Sequence, residues 1–250
     1  MMRLLGFSLL ATATMVAGVA GLQVMDSKAD VGDMDMERTV VAELFTSQGC
    51  SSCPPADAVA ADLAKNDDIV VISRPVTYWD RLGWKDTLAK ESNTELQRAY
   101  AARGFARAGV YTPQMVINGR SAAIGSRGYA VRDLIMAEQK RKAPASLTSI
   151  AEDNGDIRVT VSGKSDATAH VTLLALDSSE TVSVGRGENG GRRLTYTNVL
   201  VDEETIGKWR GGSKSFLIDA DALRVSGADR YAVMVQQPHG GEILAASYIG

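Results

Sequence analysis

Cys50-Ser51-Ser52-Cys53, followed at once by Pro54 and Pro55, constrains this chain more than any other stretch. These are its only two cysteines, and they stand where a β-rich run, Val40 to Thr46, gives way to an Ala-rich helical pattern, Ala56 to Ala64. Proline lacks the N–H that a helix interior needs and is tolerated in the first turn, so the prolines place the helix start close to Cys53. At a strand-to-helix junction each thiol is the other's nearest nucleophile, and the helix N-terminus favours the thiolate that attacks. Thiol–disulfide exchange is the chemistry this arrangement suits. A structural disulfide and a metal site are the alternatives. The metal reading is short of donors, because the only histidines, His170 and His239, lie far along the chain and a closed site needs four ligands.

The first twenty residues carry one early positive charge, Arg3, then an apolar stretch from Leu4 to about Val19 and small residues where a signal peptidase would cut. Residues 1–20 are read as a secretory signal, with an uncleaved membrane anchor as the alternative, and 21–38 as an acidic linker. Export places the cysteines in an oxidising periplasmic or extracellular compartment, with no stable membrane association after cleavage. A net charge of -3 and an isoelectric point near 5.5 give no surplus of positive charge for phosphates, so nucleic acid is not an expected partner.

Past the motif, Ile69 to Val76 reads as a buried parallel strand. Tyr78 and Trp79 open a polar loop holding two of the three tryptophans, read either as an ordered loop beside the cysteines or as a cap on the core. Ser92 and Glu95 form a capping-box pattern that opens a helix reaching Arg103. Pro113 heads a short strand ending in an Asn118-Gly119 turn, and a third helix spans Tyr129 to Lys142. From residue 144 the periodicity is that of strands: Ile157 to Val161, Val171 to Leu176, Thr195 to Val201, Ser215 to Ile218, Tyr231 to Val235 and Glu242 to Ile249. The expected organisation is an α/β domain over 39–143 followed by an all-β, sandwich-like domain over 144–250.

The order strand, Cys-x-x-Cys, helix, strand, helix, proline-headed strand, hairpin, helix resembles the thioredoxin fold over Thr39 to Ala143. More narrowly, the run from Glu43 through Cys50 and Cys53 to Asp57, the Tyr78-Trp79-Asp80 triplet and Arg186-Gly187-Glu188-Asn189 resemble an uncharacterised family of exported bacterial thioredoxin-like proteins. The resemblance implies that Cys50 is the exposed nucleophile and Cys53 the resolving cysteine. It implies a cis Thr112–Pro113 bond facing the pair, with Thr112 offering backbone groups to a bound peptide, and the loop reading adds Tyr78 and Trp79 as substrate-binding candidates. Protein or peptide thiols and disulfides are the implied substrates, served by a separate redox partner and no prosthetic group.

Glu43, on the entering strand, is placed either to take the proton of Cys53 or to pair with Arg74 on the next strand. Gly185 to Gly190 matches G-x-G-x-x-G by letters but runs into a strand, so no dinucleotide is expected there. That loop is instead a candidate to reach the Cys50 face. Two other functions stay open: a non-catalytic envelope binding protein with a locked disulfide, and copper handling through Cys50, Cys53 and Met115.

Overall fold

The strand that delivers the cysteines has no exposed residue. The computed structural model describes residues 38–105 and 109–250, and β1, Val40–Thr46, is buried along its whole length. The expected signal and all but the last residue of the linker lie outside the described residues. Helix α1, Pro54–Leu63, opens with both prolines in its first turn. Its Ala56, Ala60 and Leu63 pack on Val40, Ala42 and Leu44 of β1. Side chains alternate along a strand, so Val41, Glu43 and Phe45 point to the opposite face. Strand β2, Ile69–Pro75, runs parallel to β1 in register from Val40 with Ile69 to Thr46 with Pro75. Ile69 and Val71 join the α1 side, while Val70 and Ile72 join the other, which is why this run is apolar throughout.

After a short helical turn at Thr77–Leu82 come α2, Glu91–Tyr100, then β3, Gln114–Ile117, β4, Ser121–Ile124, and α3, Gly128–Gln139. Helix α2 begins one residue before the expected cap: Lys90 holds the cap position without a side-chain bond, and Ser92 lies inside the first turn. Asn118 and Gly119, with φ of 48° and 61°, make the tight turn between β3 and β4. The remaining strands are β5, Ala145–Ala151, β6, Ile157–Gly163, β7, Ala169–Ser183, β8, Arg193–Trp209, β9, Gly212–Ile218, β10, Arg230–Gln236, and β11, Ile243–Ile249.

The structure overturns the expected fold class, an α/β thioredoxin-like domain followed by an all-β sandwich-like domain. Eight strands form one mixed sheet in the order β11-β10-β7-β8-β2-β1-β3-β4, and β5-β6-β9 form a second sheet of three. The fold is mostly β, with few helices. The junction is β8 lying beside β2, parallel, with Ser73 opposite Val199. Its physical cause is the second face of β1 and β2. Val41, Val70 and Ile72 need cover, and they get it from Leu174, Leu176, Leu200, Ala232 and Met234 of the later strands. One apolar cluster therefore spans both expected halves, and the sheet is continuous across it.

Candidate functional site

Between β1 and α1 the chain turns tightly, with the Cys50 N–H on the Ser47 carbonyl at 3.1 Å and the Cys53 N–H on the Cys50 carbonyl at 3.1 Å. Cys50 and Cys53 are joined in a disulfide. The resemblance implied an exposed Cys50, and the structure corrects this: both cysteines are 0% exposed, and only Ser51 and Ser52 between them face solvent. The Ser52 hydroxyl lies 3.4 Å from the Cys50 sulfur.

The cover comes from the loop joining β7 to β8. Asn189, itself buried, donates from Nδ2 to the carbonyls of Gln48 at 3.0 Å and Cys50 at 2.9 Å. Arg192 fixes that amide by donating to its Oδ1 at 2.7 Å. Beside it Glu188 accepts the Ser51 N–H at 3.0 Å, and the hydrogen bonds from Ser51 hold its carboxyl below the usual range. The loop from the Gly-rich stretch thus reaches the Cys50 face.

The two tryptophans brace the same turn. Trp84 donates to Gln48 Oε1 at 2.8 Å and lies so close to Gly185 that a Cβ there would meet its ring at 2.9 Å. Trp79 packs on Gly49 and donates to Thr112 Oγ1 at 2.8 Å. With Tyr78 it also borders the cluster of Phe45, Val76, Tyr100 and Val116, so this segment serves both the core and the cysteine turn. Asp86 accepts the Gln48 N–H at 2.7 Å, and burial raises its carboxyl pKa. The Thr112–Pro113 bond is cis. A Cβ on Gly125 would stand 3.4 Å from Pro113, 3.0 Å from Ala56 and 2.9 Å from Leu44, so Pro113 sits beside the first turn of α1.

Glu43 is not part of this group. It points to the face away from α1, fully buried, where Arg74 Nε donates to it at 2.7 Å and the Tyr100 hydroxyl donates to its other oxygen. Arg74 also bonds Asn93 at 3.2 Å and Glu203 at 3.1 Å. The acid on the α1 side is Asp57. It is 6% exposed, accepts the Thr46 hydroxyl at 2.8 Å on Oδ1, and has a buried Oδ2 without a hydrogen bond. Burial pushes its pKa up to about 7 against the Thr46 bond, and the charge of Asp86 adds to the rise. Tyr196 stands over the same spot, its hydroxyl buried without a partner and its pKa raised by burial and by Asp57 and Asp86. Asp57 was visible as an acid one helical turn after Cys53, but its burial depends on β8.

Among the described residues no three of His, Cys, Asp and Glu are grouped to hold a metal, and Met115 packs in the core with Leu44 and Ala56. No described helix is long and apolar enough to cross a membrane.

Comparison with known proteins finds a match over residues 41–236 to a family described as proteins of unknown function, DUF1223. None of the curated proteins matches the chain. Among solved structures, a crystal structure of a protein from Agrobacterium tumefaciens, a structural-genomics target, is similar at 30% identity with a TM-score of 0.73. The similarity covers 86% of this chain and 95% of that one. The chain belongs to the DUF1223 family.

Proposed function

We propose that this member of the family is an exported thiol–disulfide oxidoreductase, periplasmic or secreted, that exchanges the Cys50–Cys53 disulfide with thiols of protein or peptide substrates. The observation that carries the reading is the disulfide's place: at the N-terminus of α1, under a cover held by polar contacts to the backbone. A bridge of sequence separation 3 closes a very small loop. Loop-closure entropy then supplies about 2 kcal/mol, less than a long-range disulfide would, so stability alone is a weak reason for the bond.

In the proposed reaction the cover loop lifts and a substrate thiolate attacks Cys50 Sγ. The S–S bond breaks, its electron pair leaves on Cys53 Sγ, and a mixed disulfide forms at Cys50. In the return step the Cys53 thiolate attacks Cys50 Sγ and expels the substrate thiolate. The positive end of α1 stabilises the thiolate at its N-terminus. Thr112, held by Trp79, and Pro113 border the path of the substrate chain.

The full burial of both sulfurs supports a second reading, a non-catalytic envelope binding protein with a locked disulfide. The reduction potential separates the two. Equilibration with glutathione giving a value between roughly -120 and -270 mV supports exchange, whereas one below about -300 mV refutes it in favour of the locked form. Cys53→Ala is expected to trap substrates on Cys50 as mixed disulfides in cells.

A further inference from the structure

We propose that Asp57 is the proton-transfer residue of the pair, giving a proton to Cys53 as the disulfide opens and taking it back as the disulfide closes. This rests on the exchange reading above.

The placement is helical. Cys53 has helical backbone angles, φ -80° and ψ -38°, and its carbonyl accepts the Asp57 N–H at 3.1 Å. Residues four apart on a helix share a face with Cβ atoms about 5–6 Å apart, a gap that a thiol and a carboxyl close directly or through one water. Both side chains are turned inward, Cys53 at 0% and Asp57 at 6% exposure.

The bonding of the carboxyl is asymmetric. Oδ1 is held by Thr46, while Oδ2 is buried and unbonded. A buried polar atom without a partner is costly and calls for an explanation. In the disulfide the Cys53 sulfur carries no proton and offers nothing to Oδ2. In the dithiol it carries one, and Oδ2 gains its partner. The groups around the carboxyl fit a proton held there. Thr46 of β1, Asp86 from the loop after β2 and Tyr196 of β8 face it, and the titratable groups coupled to it are a second acid and a phenol. Arg192 and Arg193 stand across a groove of about 340 Å³ between α1 and β8, which Asp57 lines together with Pro54 and Ala58. That groove gives the carboxyl a route for proton exchange with water.

The step balances. An incoming thiolate bonds to Cys50 Sγ, the S–S electron pair passes to Cys53 Sγ, and the Asp57 O–H supplies its proton, leaving a Cys53 thiol and an Asp57 carboxylate. In reverse the carboxylate takes the Cys53 proton as that sulfur attacks the mixed disulfide, and the substrate leaves as its thiolate.

The test is the rate of reduction of the intact protein by dithiothreitol, corrected for its thiolate fraction, across about pH 5 to 9 in wild type, Asp57→Asn and Tyr196→Phe. Wild type and Tyr196→Phe are expected to show an inflection near 7. Asp57→Asn is expected to lose it and to react about 100-fold more slowly on the acid side. An unchanged inflection and rate in Asp57→Asn overturns the proposal. Reduced-minus-oxidised infrared difference spectra add a readout independent of rate: a titrating carboxyl band is expected in wild type and missing in Asp57→Asn, and its persistence in the variant overturns the assignment. If dithiothreitol reduces none of the three proteins while native but all three when unfolded, the exchange reading itself fails, a result distinct from the loss of Asp57's role.

Discussion

Asn189→Ala is expected to speed reduction of the native disulfide by about 5- to 150-fold. The side-chain amide holds the cover closed with two hydrogen bonds, 3.0 and 2.9 Å, to the Gln48 and Cys50 carbonyls. A net hydrogen bond in a protein contributes about 0.5–1.5 kcal/mol, so losing both weakens the closed state by about 1–3 kcal/mol. Cys50 is fully buried, so a reductant meets its sulfur only in the open form. When opening and closing are fast relative to attack, the rate follows the open population, and RT of about 0.59 kcal/mol converts the energy to the stated factor. Asn189→Asp keeps the size but turns the donor into an acceptor facing two carbonyls, so its effect is expected to be larger. The assay is pseudo-first-order reduction by a small phosphine, followed by the fluorescence of Trp84, whose indole N–H is bonded to Gln48 in the same turn. Wild-type rates in both variants, with circular dichroism showing them folded, would refute the argument that this loop guards the sulfur.

Four further substitutions follow from the same structure. The Asp57 pKa is raised from 3.8 to about 7 in the fold, so between those values the native state binds more protons than the unfolded chain and stability falls as pH rises. The ceiling on that loss is about 4 kcal/mol, and Asp57→Asn is expected to flatten the slope in urea unfolding of the oxidised protein at pH values across the window. Gly125→Ala brings a Cβ to 2.9 Å of Leu44 and 3.0 Å of Ala56, and overpacking of this kind is expected to cost about 1–3 kcal/mol in a thermal melt. Arg74→Ala strands the buried Glu43 without its guanidinium and is expected to destabilise by about 3–5 kcal/mol, whereas Glu43→Gln, on the face away from α1, is expected to leave the pH profile of dithiothreitol reduction unmoved.

What was legible in the sequence was local. Val40 to Thr46 reads as a strand because every residue but Glu43 is apolar or β-branched, and Pro54 and Pro55 mark the helix start because each lacks an N–H. Asn118-Gly119 reads as a tight turn because both residues tolerate positive φ. What escaped was made by pairing between distant segments. The expected strands Val171 to Leu176 and Thr195 to Val201 are the apolar centres of β7 and β8, which run on through polar residues such as Ser178 to Ser183 and Asp202 to Lys208. Those extensions are held by each other's backbone, and polar residues give no periodic sign of it. The contact that joins the two expected halves into one sheet is the opposed pair Ser73 and Val199, for which neither segment carries a local signal. The site divides the same way. Cys50, Cys53 and Pro113 announce themselves by residue type, while Asn189 and Asp57 acquire their positions from β8 and the loop that precedes it.

That division bears on how the pair is controlled. The Asn189 amide grips backbone carbonyls, so the cover senses the shape of the cysteine turn and the redox state only through that shape. By linkage, any preference of the closed loop for the disulfide over the dithiol lowers the reduction potential by the same free energy, about 30 mV for each 1.4 kcal/mol in a two-electron couple. If the whole 1–3 kcal/mol of the Asn189 contacts is specific to the disulfide, Asn189→Ala raises the potential by about 20–65 mV as well as the rate. If the turn keeps its shape on reduction, the contacts cancel between the two states and only the rate responds. The tight Ser47-to-Cys53 backbone bonds and the braces from Trp84 and Asp86 hold the turn independently of the sulfurs. They favour the second outcome, in which the β7–β8 loop sets access to Cys50 and leaves the potential to α1 and Asp57.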